Sequence, residues 1–476
     1  MSKRKLKLFS FVLIAAIGVF ACGLLSGGEP TAVPVPPSPT PALAEPTQPP
    51  AEPTQPPPEP TQPPPEPTQP PPEPTQDNTV QQNAITIDMV NGFIDNMDIL
   101  TIVGLVTNRT DQDIDDVALE VEIFDADGNS LFIDTAYLNL FALAPGETSP
   151  FSLRIFEDLP SADNFEVTVV NNRVTELARA AVDVDNVIMT IDDYGDIHIT
   201  GELFNNNDQP VVINGLAAAI FDAAGEIVTA ESYTTAIGYL DPGESGPFRI
   251  SITGPQSGTD SIADYALYLD AEYSEPVDVF NISISEAVNY LDAFESLHLV
   301  GEATNNGDVS LSVRLVAAVY DAEGNVLDAS FYDAPFSLAP GETIPYDFDF
   351  WGPLNYSPAL LDMADSYTIQ VDGYWTWETG IQYVDLTTTN DTNEFDLWVE
   401  FTGEIVNNSG STVEGAAIVI YLRDTSTGQV VGVGSDFVFE EMADGDSREY
   451  SVFINVPEDF DINSAEYFII AKGELP

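Results

Sequence analysis

What most restricts the fold of this chain is a segment that recurs along it. A glycine-led stretch reads VGLVTNRT from Val103, TGELFNNN from Thr200, VGEATNNG from Val300 and TGEIVNNS from Thr402. Its glycines, Gly104, Gly201, Gly301 and Gly403, stand about 100 residues apart. After each glycine comes an apolar run ending in an aromatic, at Phe124, Phe221, Tyr320 and Tyr421. A turn comes next: LAPGE at Leu143, LDPGE at Leu240, LAPGE at Leu338 and a degraded MADGD at Met442. Three landmarks in constant order and spacing mean that one unit was duplicated, so the chain beyond residue 80 must fold as variations on one small structure.

Each unit reads as short alternating strands parted by turn residues, the pattern of a β-sandwich. Val117, Leu119, Val121 and Ile123 share one strand face, and Ala118, Glu120 and Glu122 share the other. Equivalent inward sets are Val313, Leu315, Ala317 and Val319, and Ala416, Ile418 and Ile420. Beyond residue 80 there is no sustained 3.6-residue apolar period. The expected fold is all-β: four tandem immunoglobulin-like sandwiches at 81–178, 179–278, 279–378 and 379–476, each with its own core.

These landmarks resemble the FxLYD-type domain, an immunoglobulin-like module of bacterial and archaeal surface proteins. The resemblance rests on the Gly-x-x-x-Asn-Asn segment, the aromatic-Asp-x-x-Gly hairpin at Phe124-Asp125, Phe221-Asp222 and Tyr320-Asp321, and the LAPGE turn. The first Phe of the name motif is replaced by Val121, Ala218, Ala317 and Ile418, and Leu422 stands after the fourth aromatic. The resemblance implies a fold and a surface location, and no catalytic residues.

The chain opens with basic residues up to Lys7 and an apolar run from Leu8 to Ala21, the layout of an export signal. It stops at Val19-Phe20-Ala21-Cys22-Gly23, which resembles the bacterial lipobox, with Phe20 bulkier than usual. Cys22 is the one cysteine in the chain, and lipidation would consume a thiol that is otherwise reactive. Residues 1–22 are therefore expected to be a lipoprotein signal peptide, with the mature chain exported and lipid-anchored at the bacterial surface. An uncleaved membrane anchor is the alternative, and both place the residues beyond Gly23 outside the cytoplasm. Residues 23–80 form the expected disordered stalk, with EPTQPPP repeating from Glu45. Proline fixes φ and removes N–H donors, so this stretch favours an extended polyproline II spacer reaching on the order of 150 Å.

Charge narrows the partners. The sequence has 13 Lys plus Arg against 78 Asp plus Glu, a net charge of -65. Nucleic acid needs clustered cations and is excluded as a partner. Divalent cations and basic proteins remain compatible, while the simpler reading is a soluble, self-repelling surface.

The residues offer little catalytic chemistry. His198 and His298 are the only histidines. Alternation puts both on the polar, solvent-facing side of a strand, away from any serine or aspartate partner, so neither a nucleophile triad nor a zinc site is expected. The acidic turns at Asp125 and Asp127 and at Asp321 and Glu323 faintly resemble calcium loops. A plain hairpin explains the same residues, since Asp and Asn bond their own backbone and Gly takes positive φ. No cofactor is expected, with calcium the weaker alternative. All four tryptophans fall between Trp351 and Trp398. Trp375 and Trp377 continue the line of Ile369 and Val371 and suggest packing, whereas Trp398 is out of phase and should face outward or against a neighbour. These three are the candidate ligand-binding residues for an extracellular protein or polysaccharide.

The expected function is that of a non-catalytic surface lipoprotein, an adhesive or interaction rod. The alternatives are a purely structural envelope spacer and a polysaccharide-binding accessory protein. A transporter's solute receptor is disfavoured because no βαβ alternation is present. The anchor yields the first test: labelled fatty acid should enter the wild-type protein, and Cys22→Ala should release it to the medium or leave it unprocessed. Processed mutant protein retained in the membrane like wild type would end the lipoprotein reading.

Overall fold

The computed structural model describes residues 84–192, 194–232, 235–259, 261–276, 280–350, 363–373, 375–395, 397–457 and 460–476. Cys22, the proline-rich stretch and Trp351 lie outside them. The protein is all-β, with small antiparallel sheets making up nearly all of the regular structure described. Among the described residues, no helix is long and apolar enough to cross a membrane.

Two kinds of sheet recur along the chain. In one, which we call the glycine sheet, the central strand carries the repeat glycine. Leu100–Asn108 lies between Ile85–Ile94 and Thr148–Ile155, and Ile197–Phe204 lies between Asp183–Ile191 and Ser245–Ile252. Leu297–Asn305 and Val399–Val406 occupy the same place further on. In the other, the hairpin sheet, a long strand ends at the aromatic-Asp turn. Ile114–Phe124 pairs with Ser130–Tyr137 and Asn164–Val174. Val211–Asp222, Arg314–Tyr320 and Gly415–Asp424 are paired in the same manner.

The repeat glycine has a packing reason that the landmarks alone do not reveal. It stands opposite an aromatic on the next strand: Gly104 faces Phe151, Gly201 faces Phe248, Gly301 faces Tyr346 and Gly403 faces Tyr450. A Cβ on Gly104 would sit 2.6 Å from the Phe151 ring, and one on Gly301 would sit 2.3 Å from the Tyr346 hydroxyl. The missing side chain lets the ring lie across the sheet into the core, where all four aromatics are buried.

A buried asparagine ties that strand to the LAPGE turn. Asn108, Asn205, Asn305 and Asn407 are each fully buried. In the third copy Asn305 Nδ2 donates to the carbonyls of Val309 at 2.8 Å and Leu338 at 2.9 Å, while its Oδ1 accepts the Gly307 N–H at 2.9 Å. Its backbone N–H donates to the Glu342 carbonyl at 2.9 Å, and its own carbonyl accepts the Gly341 N–H at 2.7 Å. Gly341 turns at φ 79°, which a side chain would resist. The same side-chain donations form at Asn108, Asn205 and Asn407, the last reaching Met442 in the degraded turn.

The inward sets read from alternation are buried, including Val117, Leu119, Val121 and Ile123. The opposite face departs from expectation. Glu120 is exposed and Glu122 half-buried, but their counterparts Ala217 and Ala219, Val316 and Ala318, and Ala417 and Val419 are buried. Each of these later faces meets the glycine sheet of the preceding unit. Val103 and Leu105 form one apolar cluster with Ala219, Ile227 and Ala230. Ala417, Val419, Val430 and Val433 belong to the same core as Leu299, Tyr346 and Phe348. Polar groups close these contacts: Asn91 donates to the Ile227 carbonyl at 3.0 Å, Thr200 to the Val326 carbonyl at 2.6 Å, and the Tyr320 hydroxyl to Glu202 at 3.1 Å. Arg249 reaches the fully buried Asp328 at 2.9 Å.

The asparagine bonds supply a stability test. Asn305→Ala removes two donors and an acceptor from a dry site, and stranding their partners costs on the order of 2–4 kcal/mol. A lowered denaturation midpoint, with strand signal intact before the transition, is the expected result by circular dichroism. An unchanged midpoint would show that the clamp contributes nothing.

Candidate functional site

Both histidines are buried, which corrects the expectation that they face solvent. The strand face they occupy is polar, but the following unit covers it. His198 is 6% exposed, with Nδ1 3.1 Å from Ser251 Oγ and Nε2 3.3 Å from Asp192 Oδ2. It therefore does stand between a serine and an aspartate. Ser251 lies directly opposite on the neighbouring strand, and its Oγ also accepts the Arg249 Nε–H at 3.1 Å. That arginine belongs to the buried pair with Asp328, so the Asp-His-Ser chain continues into the contact with the next unit.

His298 is 1% exposed. Its Nδ1 lies 2.9 Å from Asp347 Oδ1, its Nε2 lies 3.4 Å from Asp292 Oδ2, and Asp349 stands 3.9 Å away. The ring stacks on Tyr290 at 5.0 Å, whose hydroxyl donates to the Asn455 carbonyl at 2.9 Å. Burial by itself lowers the imidazole pKa, but the charge of Asp347 and the bonds to Asp292 and Asp347 override it and push it up to about 10. The ring is thus an imidazolium fixed among carboxylates, a poor general base and a good electrostatic tie. Sequence reasoning missed this because Asp347 and Asp349 lie on the neighbouring strand Thr343–Phe350, distant in sequence, and Asp292 lies in the turn before the histidine's own strand.

The other cations are engaged too. Every Arg and Lys from Arg109 to Lys472 makes an ion pair. Several pairs span units: Arg179 bridges Glu147 and Asp270, Arg423 meets Glu302, and Lys472 meets Glu342 at 2.7 Å. Glu147 and Glu342 are the glutamates of two LAPGE turns.

The tryptophans occupy three different settings. The strand containing Ile369 and Val371 ends at Val371, so the alternation does not carry on to Trp375 and Trp377. Trp375 is half-buried, with the Arg314 guanidinium 4.7 Å from its ring centre. Trp377 is 48% exposed in a two-residue strand. Trp398 stacks on Phe294 at 5.9 Å and meets Phe453 edge-on at 6.0 Å, which seats it against the third unit. The structure therefore does not gather the three into one patch.

In the acidic turns, backbone amides occupy the carboxylates proposed for calcium. Asp125 Oδ1 accepts the N–H groups of Asp127 at 3.0 Å and Asn129 at 2.8 Å, and Asp321 Oδ1 accepts those of Glu323 at 3.0 Å and Asn325 at 2.8 Å. Bonds from the Asn129 side chain and backbone hold the Asp125 carboxyl below its ordinary pKa. Asp127 and Glu323 are exposed to solvent. Among the described residues, no three His, Cys, Asp or Glu side chains converge as metal ligands.

No protein-family model matches the chain, and no curated protein does. Solved structures similar to it include native Escherichia coli alpha-2-macroglobulin, at 9% identity over 81% of this chain and 26% of that one, with a TM-score of 0.12. Another is Salmonella alpha-2-macroglobulin reacted with methylamine, at 9% identity over 82% of this chain and 29% of that one, with a TM-score of 0.12. The chain thus spans less than a third of either structure's length, and likenesses this slight carry no argument.

The imidazolium predicts a pH dependence. A folded pKa above the unfolded value means that the stabilisation is complete below about 6.5 and is lost as pH rises through about 10. Melting temperatures measured from pH 6 to 11 should fall more steeply for wild type than for His298→Gln. Parallel curves would remove His298 as the titrating group.

Proposed function

We propose that this chain is a non-catalytic, lipid-anchored surface protein in which four immunoglobulin-like sandwiches, at 81–178, 179–278, 279–378 and 379–476, are stacked into a stiff extracellular spacer. The observation that carries this reading is the repeated contact between units. At the first and third junctions small apolar residues of a hairpin sheet lie on the preceding glycine sheet, and at the second Thr200, Tyr320 and Arg249 make polar bonds between the units. A chain that only tethered independent modules would leave these faces polar and wet.

The first and last of the described sheets fit the same reading. Among the described residues, the first hairpin sheet carries Glu120, exposed, and Glu122, half-buried, where the later ones carry buried Ala and Val. The last glycine sheet carries Glu400 and Glu404, with Glu449 directly across from Glu404. Carboxylates on a face that no neighbouring sheet covers help a stacked repeat array to remain soluble. The proline-rich stalk would hold the stack away from the membrane. Partners fit this reading as extracellular proteins or polysaccharides met at a distance from the cell.

Placing carboxylates inside a junction tests the stack. Ala217→Glu with Ala219→Glu copies the first unit's glutamates into the first junction, where unpaired carboxylates are costly to bury. X-ray scattering should show a larger maximum dimension than wild type, with the strand signal retained. An unchanged scattering profile would sink the spacer reading.

A further inference from the structure

Several features of the molecule remain unused by the stack, and one combines concavity, exposed rings and directed polar groups. A cleft of about 890 Å³ is walled by the first unit, by Ile213, Asn214 and Glu272 of the second, and by Trp375 of the third. Two rings on its first-unit wall stand largely in solvent: Phe141 is 75% exposed and Tyr137 63% exposed. Leaving large aromatic surface in water is unfavourable, so two such rings beside one concave surface mark a contact site better than a core. Trp375 supplies a third ring, and Arg314 and Phe331 steady it, the guanidinium lying 4.6 Å from the Phe331 ring and 4.7 Å from Trp375.

The polar lining identifies the ligand class. Arg173 is the cation here, and Asp115 holds it through two bonds of 2.8 Å. Asp116, Glu176 and Glu272 add carboxylate acceptors, and Asn214 can both donate and accept. A ligand must therefore offer hydroxyl or amine donors, bring no negative charge, and present apolar faces to the rings. Sugar rings meet these conditions, with axial C–H groups on a face and hydroxyls around the edge. We propose that this cleft binds a neutral or amino-sugar oligosaccharide, which stacks on Tyr137, Phe141 and Trp375 and donates to the carboxylates. Uronic acids and phosphorylated glycans are repelled.

The proposal rests on the stacked arrangement, because the cleft exists only while the first three units hold their places. The experiment separates the two ideas. Mature protein is titrated calorimetrically with cellohexaose, xylohexaose, mannohexaose and chitosan hexamer, with oligogalacturonate as the anionic control. At least one of the first four should bind and oligogalacturonate should not. Tyr137→Ala and Phe141→Ala lie outside the cores, so they should leave melting and scattering unchanged while weakening binding about tenfold or more. No binding by any of the four, equal binding in both variants, or preference for oligogalacturonate would overturn the assignment, with the scattering result still standing for the stack.

Discussion

The buried asparagine is the interaction on which the rest of each unit depends. A strand that must end beneath a turn leaves carbonyls with no sheet partner, and stranded carbonyls are costly in a dry interior. The carboxamide answers two of them and one amide in a single rigid group, as at Asn305 with Val309, Leu338 and Gly307. Once the LAPGE turn is fixed there, the next strand leaves it in a set register, and its aromatic falls opposite the repeat glycine. Clamp, turn, ring and glycine are thus one device, and each landmark of the repeat is a part of it. The degraded turn at Met442 survives because the clamp uses its backbone carbonyl rather than its side chain.

Much of this was legible in the residues, within limits that have physical causes. Alternation at Val117 to Ile123 identifies the face that enters the core, because side chains on a strand point to opposite sides. It also exposes a difference between Glu120 and Ala217 that becomes meaningful only when the second face has a neighbour. The same blindness put His198 and His298 in solvent: a strand's polar residues look solvent-facing unless another sheet is known to cover them. The tryptophans failed for a different reason. The strand through Ile369 and Val371 stops, and beyond its end the period-two rule carries no information about Trp375 and Trp377.

Acidity and burial are reconciled locally. With so few cations, the chain places several of them where carboxylates would otherwise be stranded in dry contacts, as Arg249 beside Asp328 and Arg179 beside Asp270. Removing one partner of such a pair leaves a buried charge, which is more damaging than never having had the pair. Where no arginine or lysine is at hand, His298 takes up the role by retaining its proton among Asp292, Asp347 and Asp349. The exposed carboxylates have no such duty and set the field that the outside world meets.

The complete engagement of the cations has a bearing on resistance to proteolysis. Trypsin-like proteases recognise a substrate by drawing a lysine or arginine side chain into an acidic pocket while the backbone beside it straightens. From Arg109 to Lys472 each such side chain is already held by a carboxylate of the protein. Cleavage after any of them requires an ion pair to break, and at the buried ones, such as Arg249 with Asp328, local structure must open first, so digestion there follows the opening equilibrium when opening and closing are fast relative to cleavage.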